Sequence, residues 1–174
     1  METITLERAG SARLWIEEVE RWHTRCRPEG CPVCLDGPAQ PDERILAETP
    51  ECWVVAGRHA PLPGYACVTS KHHAVEPFEL AEPQQAAFFL TSMRVAKALA
   101  SVLHPIKMNY EIHGNTIPHL HMHLYPRTTD DPYVGYPIHG THTVRRRNED
   151  LDRLGRAVES ELRASNGPCG TLLP

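Results

Sequence analysis

The sequence lacks an excess of basic charge. Its 174 residues include 18 Lys and Arg against 22 Asp and Glu, which gives a formal net charge of -4 and a pI near 6.2. Proteins that bind a nucleic-acid backbone rely on clustered Lys and Arg side chains. The composition therefore argues against a nucleic-acid partner.

The sequence also lacks a long hydrophobic run. No uninterrupted apolar stretch approaches the roughly 20 residues that a membrane-spanning helix needs. The opening METITLERAG carries acidic residues where a signal peptide would carry basic and then apolar ones. We therefore expect no membrane partner and a cytoplasmic protein, and the 41% apolar and 23% charged composition is that of one globular domain.

Cysteine and histidine are present in unusual positions or numbers. Six cysteines would suggest disulfides in a short exported chain, but without an export signal closely spaced cysteines favour metal or redox chemistry. The eleven histidines must be explained by where they occur.

Hydrophobic periodicity and turn residues predict three regions: an N-terminal amphipathic helix within 1–25, one main domain at 26–165, and a loose tail at 166–174. The segment 26–43 is rich in Pro and Gly and is predicted to be irregular. Long helices are predicted at 82–103, with Pro83 in its first turn, and at 148–164. Strands are predicted at 44–48, 51–57, 65–69, 107–112 and 118–125. This order indicates an α+β domain with helices on one face of an antiparallel sheet.

One short segment carries most of the functional information. His119, His121 and His123 alternate with the apolar residues Leu120, Met122 and Leu124. Because side chains alternate between the faces of a strand, this spacing predicts three imidazoles on one face and three apolar groups on the other. The spacing alone also fits a polar face open to water or a row of metal ligands.

The run from His119 to Tyr125 resembles the histidine triad motif, in which three histidines alternate with apolar residues. The resemblance extends over about 31–127. It implies a HIT-like α+β fold, with an antiparallel five-stranded meander sheet and a long helix packed on it, that forms a homodimer. It further implies a hydrolase or transferase of nucleoside monophosphate groups, of the dinucleoside polyphosphate or nucleoside phosphoramidate type.

By this resemblance, His121 is the catalytic nucleophile. A neutral imidazole attacks the α-phosphorus of a nucleotide substrate, and water then releases the nucleotide from the phosphohistidine. The family pattern assigns the backbone carbonyl of His119 as the acceptor that orients the His121 ring. It assigns phosphate contacts to His123, Asn109, Asn115 and Thr116, although Asn115 after Gly114 fits a simple turn equally well.

The segment Cys31-Pro-Val-Cys34 has the spacing of two thiolates that bind one metal ion. Some histidine triad proteins, and the related galactose-1-phosphate uridylyltransferases, hold a structural zinc with such a pair and two histidines. The resemblance places these histidines at His73 and His119. Four protein ligands would leave no open position, so the expected Zn²⁺ fixes the loop at 26–36 rather than activating water. An unmetallated or redox-active thiol pair is the alternative; His72 competes with His73, and Cys26 is a further candidate ligand.

Two positions depart from the family pattern. Tyr65 occupies a place where many members have histidine, and Gly57 one where members have a polar residue that contacts ribose. The base preference and the leaving group therefore stay open, as does the role of His139 and His142 after the motif. Two other classes of function are also compatible with the sequence, a nucleotide-binding module without turnover and a zinc-stabilised interaction protein.

Overall fold

The computed structural model describes residues 13–133, 135–138 and 142–164. Four α-helices and seven strands form this part of the chain. The helices are α1 (Arg13–Arg25), α2 (Pro32–Asp36), α3 (Glu82–Leu103) and α4 (Asn148–Ala164). The strands are β1 (Glu43–Glu48), β2 (Cys52–Gly57), β3 (His59–Ala60), β4 (Ala66–Ser70), β5 (Lys107–Ile112), β6 (His121–Arg127) and β7 (Val144–Arg145).

Five of the strands form one antiparallel sheet in the order β1, β2, β4, β6, β5. The predicted five-stranded antiparallel sheet is thus confirmed. Its first three strands follow the chain as a meander, while β5, which comes after α3, lies at the edge and β6 returns between β5 and β4. The short strands β3 and β7 pair separately.

One face of the sheet carries the hydrophobic core. The buried side chains of β2, β4 and β6 on this face meet α3 and α4, so the predicted placement of both helices on one face is confirmed. Burying a Val, Leu or Phe side chain contributes about 1.5–3 kcal/mol each. Helix α3 is long and apolar enough to cross a membrane by length and composition alone, but its buried side belongs to this core. The core residues include Val54, Val68, Val95, Leu99, Met122, Leu124, Leu154 and Val158.

The ends of α3 follow local signals. Pro83 lies in the first turn, and the side chain of Gln84 accepts a hydrogen bond from the Ala81 amide at 3.2 Å. His104 ends the helix in the left-handed conformation with φ of 47°, and Pro105 cannot continue it. The predicted bounds of α3, β5 and α4 are those observed.

The strand predicted at 118–125 differs, because it begins at His121 and ends at Arg127. Pro118 has no amide hydrogen, and the Leu120 amide donates to the Ala74 carbonyl at 2.7 Å instead of to the sheet. The segment predicted to be irregular contains the short helix α2, which starts at Pro32. The first twelve residues and the tail at 166–174 lie outside the described residues.

Candidate active site and metal centre

His121 and His123 lie on the sheet face opposite the helices, with ring centroids 4.6 Å apart. Strand β4 places Thr69 beside His121, and β5 places Glu111 beside His123. The alternation of side chains along a strand, predicted for all three histidines, therefore applies to His121 and His123 alone. His119 precedes β6, is only 2% exposed, and its ring stands edge-on to His73.

The ring of His121 is fixed in one orientation. Its Nδ1 lies 2.6 Å from the His119 carbonyl oxygen, and since a carbonyl can only accept, Nδ1 carries the proton and Nε2 keeps a free lone pair. Burial lowers the pKa of His121, although this hydrogen bond acts in the opposite direction and raises it. A neutral imidazole with an unprotonated Nε2 is the form that can act as a nucleophile.

His123 is paired with Tyr65, whose hydroxyl oxygen lies 2.7 Å from the histidine Nδ1. Burial, with smaller effects from His121 and His113, lowers the pKa of His123 to about 3, and burial raises the pKa of Tyr65 well above its usual range. Both groups are neutral at pH 7. The Tyr65 hydroxyl donates to the neutral imidazole at Nδ1, and the His123 proton is therefore on Nε2.

A fourth histidine, His113, lies beside His123, and the sequence did not predict it as a site residue. The ring of His113 is 5.4 Å from that of His123, and its Nε2 donates to the Glu111 carboxylate at 3.0 Å. The available signal was its position directly after β5, close before the triad. Asn109 pairs with Tyr125, two residues beyond His123 and about 7 Å further along the strand, so its contact with the substrate phosphate stays a prediction.

Asn115 and Thr116 lie on the irregular loop between β5 and β6, and both are exposed. Gly114 begins this loop with φ of +149°, a backbone conformation that favours glycine. The Gly114 carbonyl accepts from Trp22 Nε1 at 2.6 Å, and the Thr116 carbonyl accepts from an Arg25 guanidinium nitrogen at 2.9 Å. Helix α1 therefore contacts the loop that carries two of the predicted phosphate-binding residues.

The four predicted zinc ligands converge on one point. The ligand atoms of Cys31, Cys34, His73 and His119 all lie within 4.8 Å of one another. The sulfur of Cys31 is 3.3 Å from His119 Nδ1, and that of Cys34 is 3.4 Å from His73 Nδ1. Tetrahedral zinc with bonds of about 2.0–2.3 Å separates its ligand atoms by about 3.6 Å, so the arrangement fits such an ion.

The second nitrogen of each histidine also fits a metal site. His119 Nε2 donates to the Ser70 carbonyl at 2.8 Å, and His73 Nε2 donates to the Cys26 carbonyl at 2.9 Å. These bonds leave both Nδ1 atoms unprotonated and aimed at the cysteines, as in the outer shell of known metal sites. His72 instead meets the Glu51 carboxylate at 2.5 Å, which leaves His73 as the histidine of the cluster.

Partial burial, with the neighbouring Cys31, raises the pKa of the Cys34 thiol to about 11. A reactive dithiol needs a thiol pKa below the usual value, so this shift does not favour a redox role for Cys34. A bound cation would supply positive charge that stabilises the thiolate.

Arg146 links the region after the triad to the active site. Its guanidinium, 4% exposed, donates to the Gly57 carbonyl at 2.7 Å and to the Tyr65 carbonyl at 2.6 Å. Gly57 has no side chain, so its contact with Arg146 is made by its backbone carbonyl alone. His142 is exposed and its amide donates to the Tyr133 hydroxyl at 3.1 Å, while His139 lies outside the described residues.

Comparison with known proteins identifies the class. The model of the HIT domain matches residues 39–130, more than half of the chain. The protein therefore belongs to the histidine triad family, whose members are in general nucleotide-binding proteins and nucleotide hydrolases or transferases. A search of curated proteins finds no match.

Solved structures agree with this assignment. A histidine triad protein from Bradyrhizobium japonicum is 25% identical with a TM-score of 0.63, over 69% of this chain and 90% of that one. One from Marinobacter aquaeolei is 23% identical with a TM-score of 0.63, over 71% and 90%. A Zn-bound histidine triad family protein from Mycobacterium smegmatis is 22% identical with a TM-score of 0.55, over 80% and 98%.

Proposed function

We propose that the protein is a nucleotide hydrolase or nucleotidyl transferase that cleaves a phosphoanhydride, phosphoester or phosphoramidate bond at the α-phosphate. The reaction passes through a covalent phosphohistidine on His121. The observation that carries this proposal is the 2.6 Å bond from His121 Nδ1 to the His119 carbonyl, because it leaves Nε2 free to attack.

The first step forms a bond from His121 Nε2 to phosphorus and breaks the bond to the leaving group, which departs with the electron pair and takes up a proton from solvent. The ring then carries a positive charge, which the hydrogen bond from Nδ1 to the His119 carbonyl stabilises. His123, whose proton is on Nε2, donates to a phosphate oxygen. In the second step water attacks phosphorus and gives up a proton to solvent. The electron pair of the broken bond returns to Nε2, and the nucleoside monophosphate is released.

Cys31, Cys34, His73 and His119 would hold a structural zinc ion, as the Zn-bound relative from Mycobacterium smegmatis supports. Such an ion supplies rigidity and no activated water, since four protein ligands fill a tetrahedron. The residues themselves join the segment around Cys31 to His119, the residue whose carbonyl orients the nucleophile.

The general test is a screen for nucleoside monophosphate release. The wild-type protein is incubated with adenosine and guanosine substrates that differ only in the leaving group: a second nucleotide, an amine, a sulfate or a sugar phosphate. We expect release from at least one class. Nucleotide binding without release from any class would favour a binding module instead.

We expect Tyr65→Phe to slow the reaction about two- to tenfold, since one hydrogen bond has a net value of about 0.5–1.5 kcal/mol. The phenylalanine keeps the ring that stacks on Tyr125 but no longer fixes the proton of His123 on Nε2. Steady-state rates at pH 7 measure the effect. Tyr65→His, which restores a hydrogen-bonding ring, should recover part of the lost rate, and a phenylalanine variant as fast as wild type would contradict the role of Tyr65.

We also propose a homodimer in which the sheet continues across two chains. Within the described residues β5 has one strand neighbour, β6, and its other edge is open. Exposed apolar side chains lie near this edge and on α3, among them Ile106 at 70%, Leu90 at 61% and Tyr110 at 42%. Light scattering should give twice the mass of the 19.6 kDa chain, and a stable monomer at micromolar concentration would contradict this proposal.

A further inference from the structure

Helix α1 lies outside the matched domain, yet it bonds directly to the loop before the triad. Trp22 Nε1 donates to the Gly114 carbonyl at 2.6 Å, and Arg25 donates to the Thr116 carbonyl at 2.9 Å. The two donors are three residues apart and so share one face of the helix. Their acceptors flank Asn115.

We propose that Trp22 is a positioning residue for the active site: through the Gly114 carbonyl, α1 fixes the loop that faces the substrate phosphate. This inference rests on the proposed function. In a trans peptide the carbonyl and the following N–H point in opposite directions. The anchored Gly114 carbonyl therefore turns the Asn115 amide away from α1, and the anchored Thr116 carbonyl does the same for the Ile117 amide.

These two amides are available as donors. Within the residues that the structure describes, neither donates to a carbonyl or a side chain. His113, in the same loop, has its ring 5.4 Å from that of His123, so the loop borders the catalytic pair. Oriented backbone amides are well suited to stabilise the charge that develops on phosphate oxygens.

The middle of the loop is exposed at Asn115 and Thr116, whereas its end is held by the buried Pro118 and by the His119 amide, which donates to the Ile117 carbonyl at 2.9 Å. A cavity of about 420 Å³ is lined by Val19 and Trp22 of α1 and by Asn115 of the loop, among others. Fixing the backbone of one residue costs about 1–2 kcal/mol. The two anchored carbonyls help to offset this cost in the exposed middle of the loop.

Helix α1 is also connected, at its C-terminal end, to the candidate metal centre. The Cys26 amide donates to the Trp22 carbonyl at 3.0 Å, and the Cys26 carbonyl accepts from His73 Nε2 at 2.9 Å. The Nδ1 of that same ring faces Cys34. The four-ligand cluster thus holds the C-terminal end of α1, and α1 holds the loop.

Trp22→Phe tests the proposal, because it keeps an aromatic ring and removes the N–H donor. In the zinc-loaded protein, NMR relaxation should give lower backbone order parameters for residues 113–117, because the anchor at the Gly114 carbonyl is lost. The kcat should fall about two- to tenfold, as expected for one lost hydrogen bond, with KM little changed, since the amides act on transition-state charge. The matched control is Glu20→Gln, an exposed neighbour on α1, which should change neither quantity.

Zinc content of Trp22→Phe should equal that of wild type, and chelation of zinc from wild type should lower the same order parameters. Unchanged order parameters in Trp22→Phe overturn the proposal, and so do lower order parameters with an unchanged kcat. A wild-type protein that releases no nucleotide would refute the proposed function, whereas the relaxation comparison would still decide whether α1 holds the loop.

Discussion

His121→Ala should abolish release of nucleoside monophosphate. The substitution removes the only imidazole of the triad that has a free Nε2 and a fixed orientation, since the His119 ring is turned to the cysteines and His123 is paired with Tyr65. Without the nucleophile the covalent route no longer exists. Single-turnover assays with labelled substrate should show loss of signal on the protein as well as loss of product.

His123→Ala is the matched comparison. It removes one donor to the phosphate and leaves the nucleophile in place, so we expect a rate lower by about 10²–10³ rather than none. Nucleotide binding, measured by calorimetry, should persist in both variants. Rapid quenching of wild type in alkaline denaturant, which preserves the acid-labile phosphorus–nitrogen bond, should trap the nucleotide on His121. A His121→Ala variant that turns over near the wild-type rate would disprove the mechanism.

His73→Asn should release the metal and destabilise the protein. Removing one of four ligands opens the tetrahedron, and loss of a structural metal is among the few single-site changes with large effects on stability. A loss of about 3 kcal/mol would lower the Tm by about 6–12 °C in a chain of this size. Metal analysis of the purified protein and a thermal melt measure the two effects.

The neighbouring histidine supplies the control. His72 is bound to Glu51 and not to the cysteines, so His72→Asn should keep one zinc per chain and a nearly unchanged Tm. If both variants keep the metal, or if wild type contains none, the assignment of the four ligands is wrong.

Local signals were sufficient for the long helices and for the approximate positions of the five sheet strands, but not for α2, β3 or β7. The apolar period and Pro83 predicted α3, because these signals lie within the element itself. The start of β6 was missed since it depends on a hydrogen bond from Leu120 to Ala74, far away in sequence. Hydrophobic periodicity cannot predict such a long-range hydrogen bond.

The candidate site was predictable in its residue types and less so in its contacts. The triad and the Cys31–Cys34 pair are recognisable from the spacing of their residues in the sequence. The family resemblance added His73 as a ligand. The choice between His72 and His73 needed the direction of each side chain at the turn. The contacts of Tyr65 with His123 and of Trp22 with Gly114 join residues 58 and 92 positions apart, and neither has a local signature.

His119 contributes two unrelated groups to the protein. Its ring serves the cysteine cluster, while its carbonyl serves the nucleophile. Every amino acid has a carbonyl, so in the proposed mechanism catalysis constrains only the path of the backbone at this position. The proposed metal site would alone constrain the identity of the side chain. A relative that had lost the two cysteines could therefore exchange this histidine for another residue and keep its chemistry, provided that other contacts held the same backbone path.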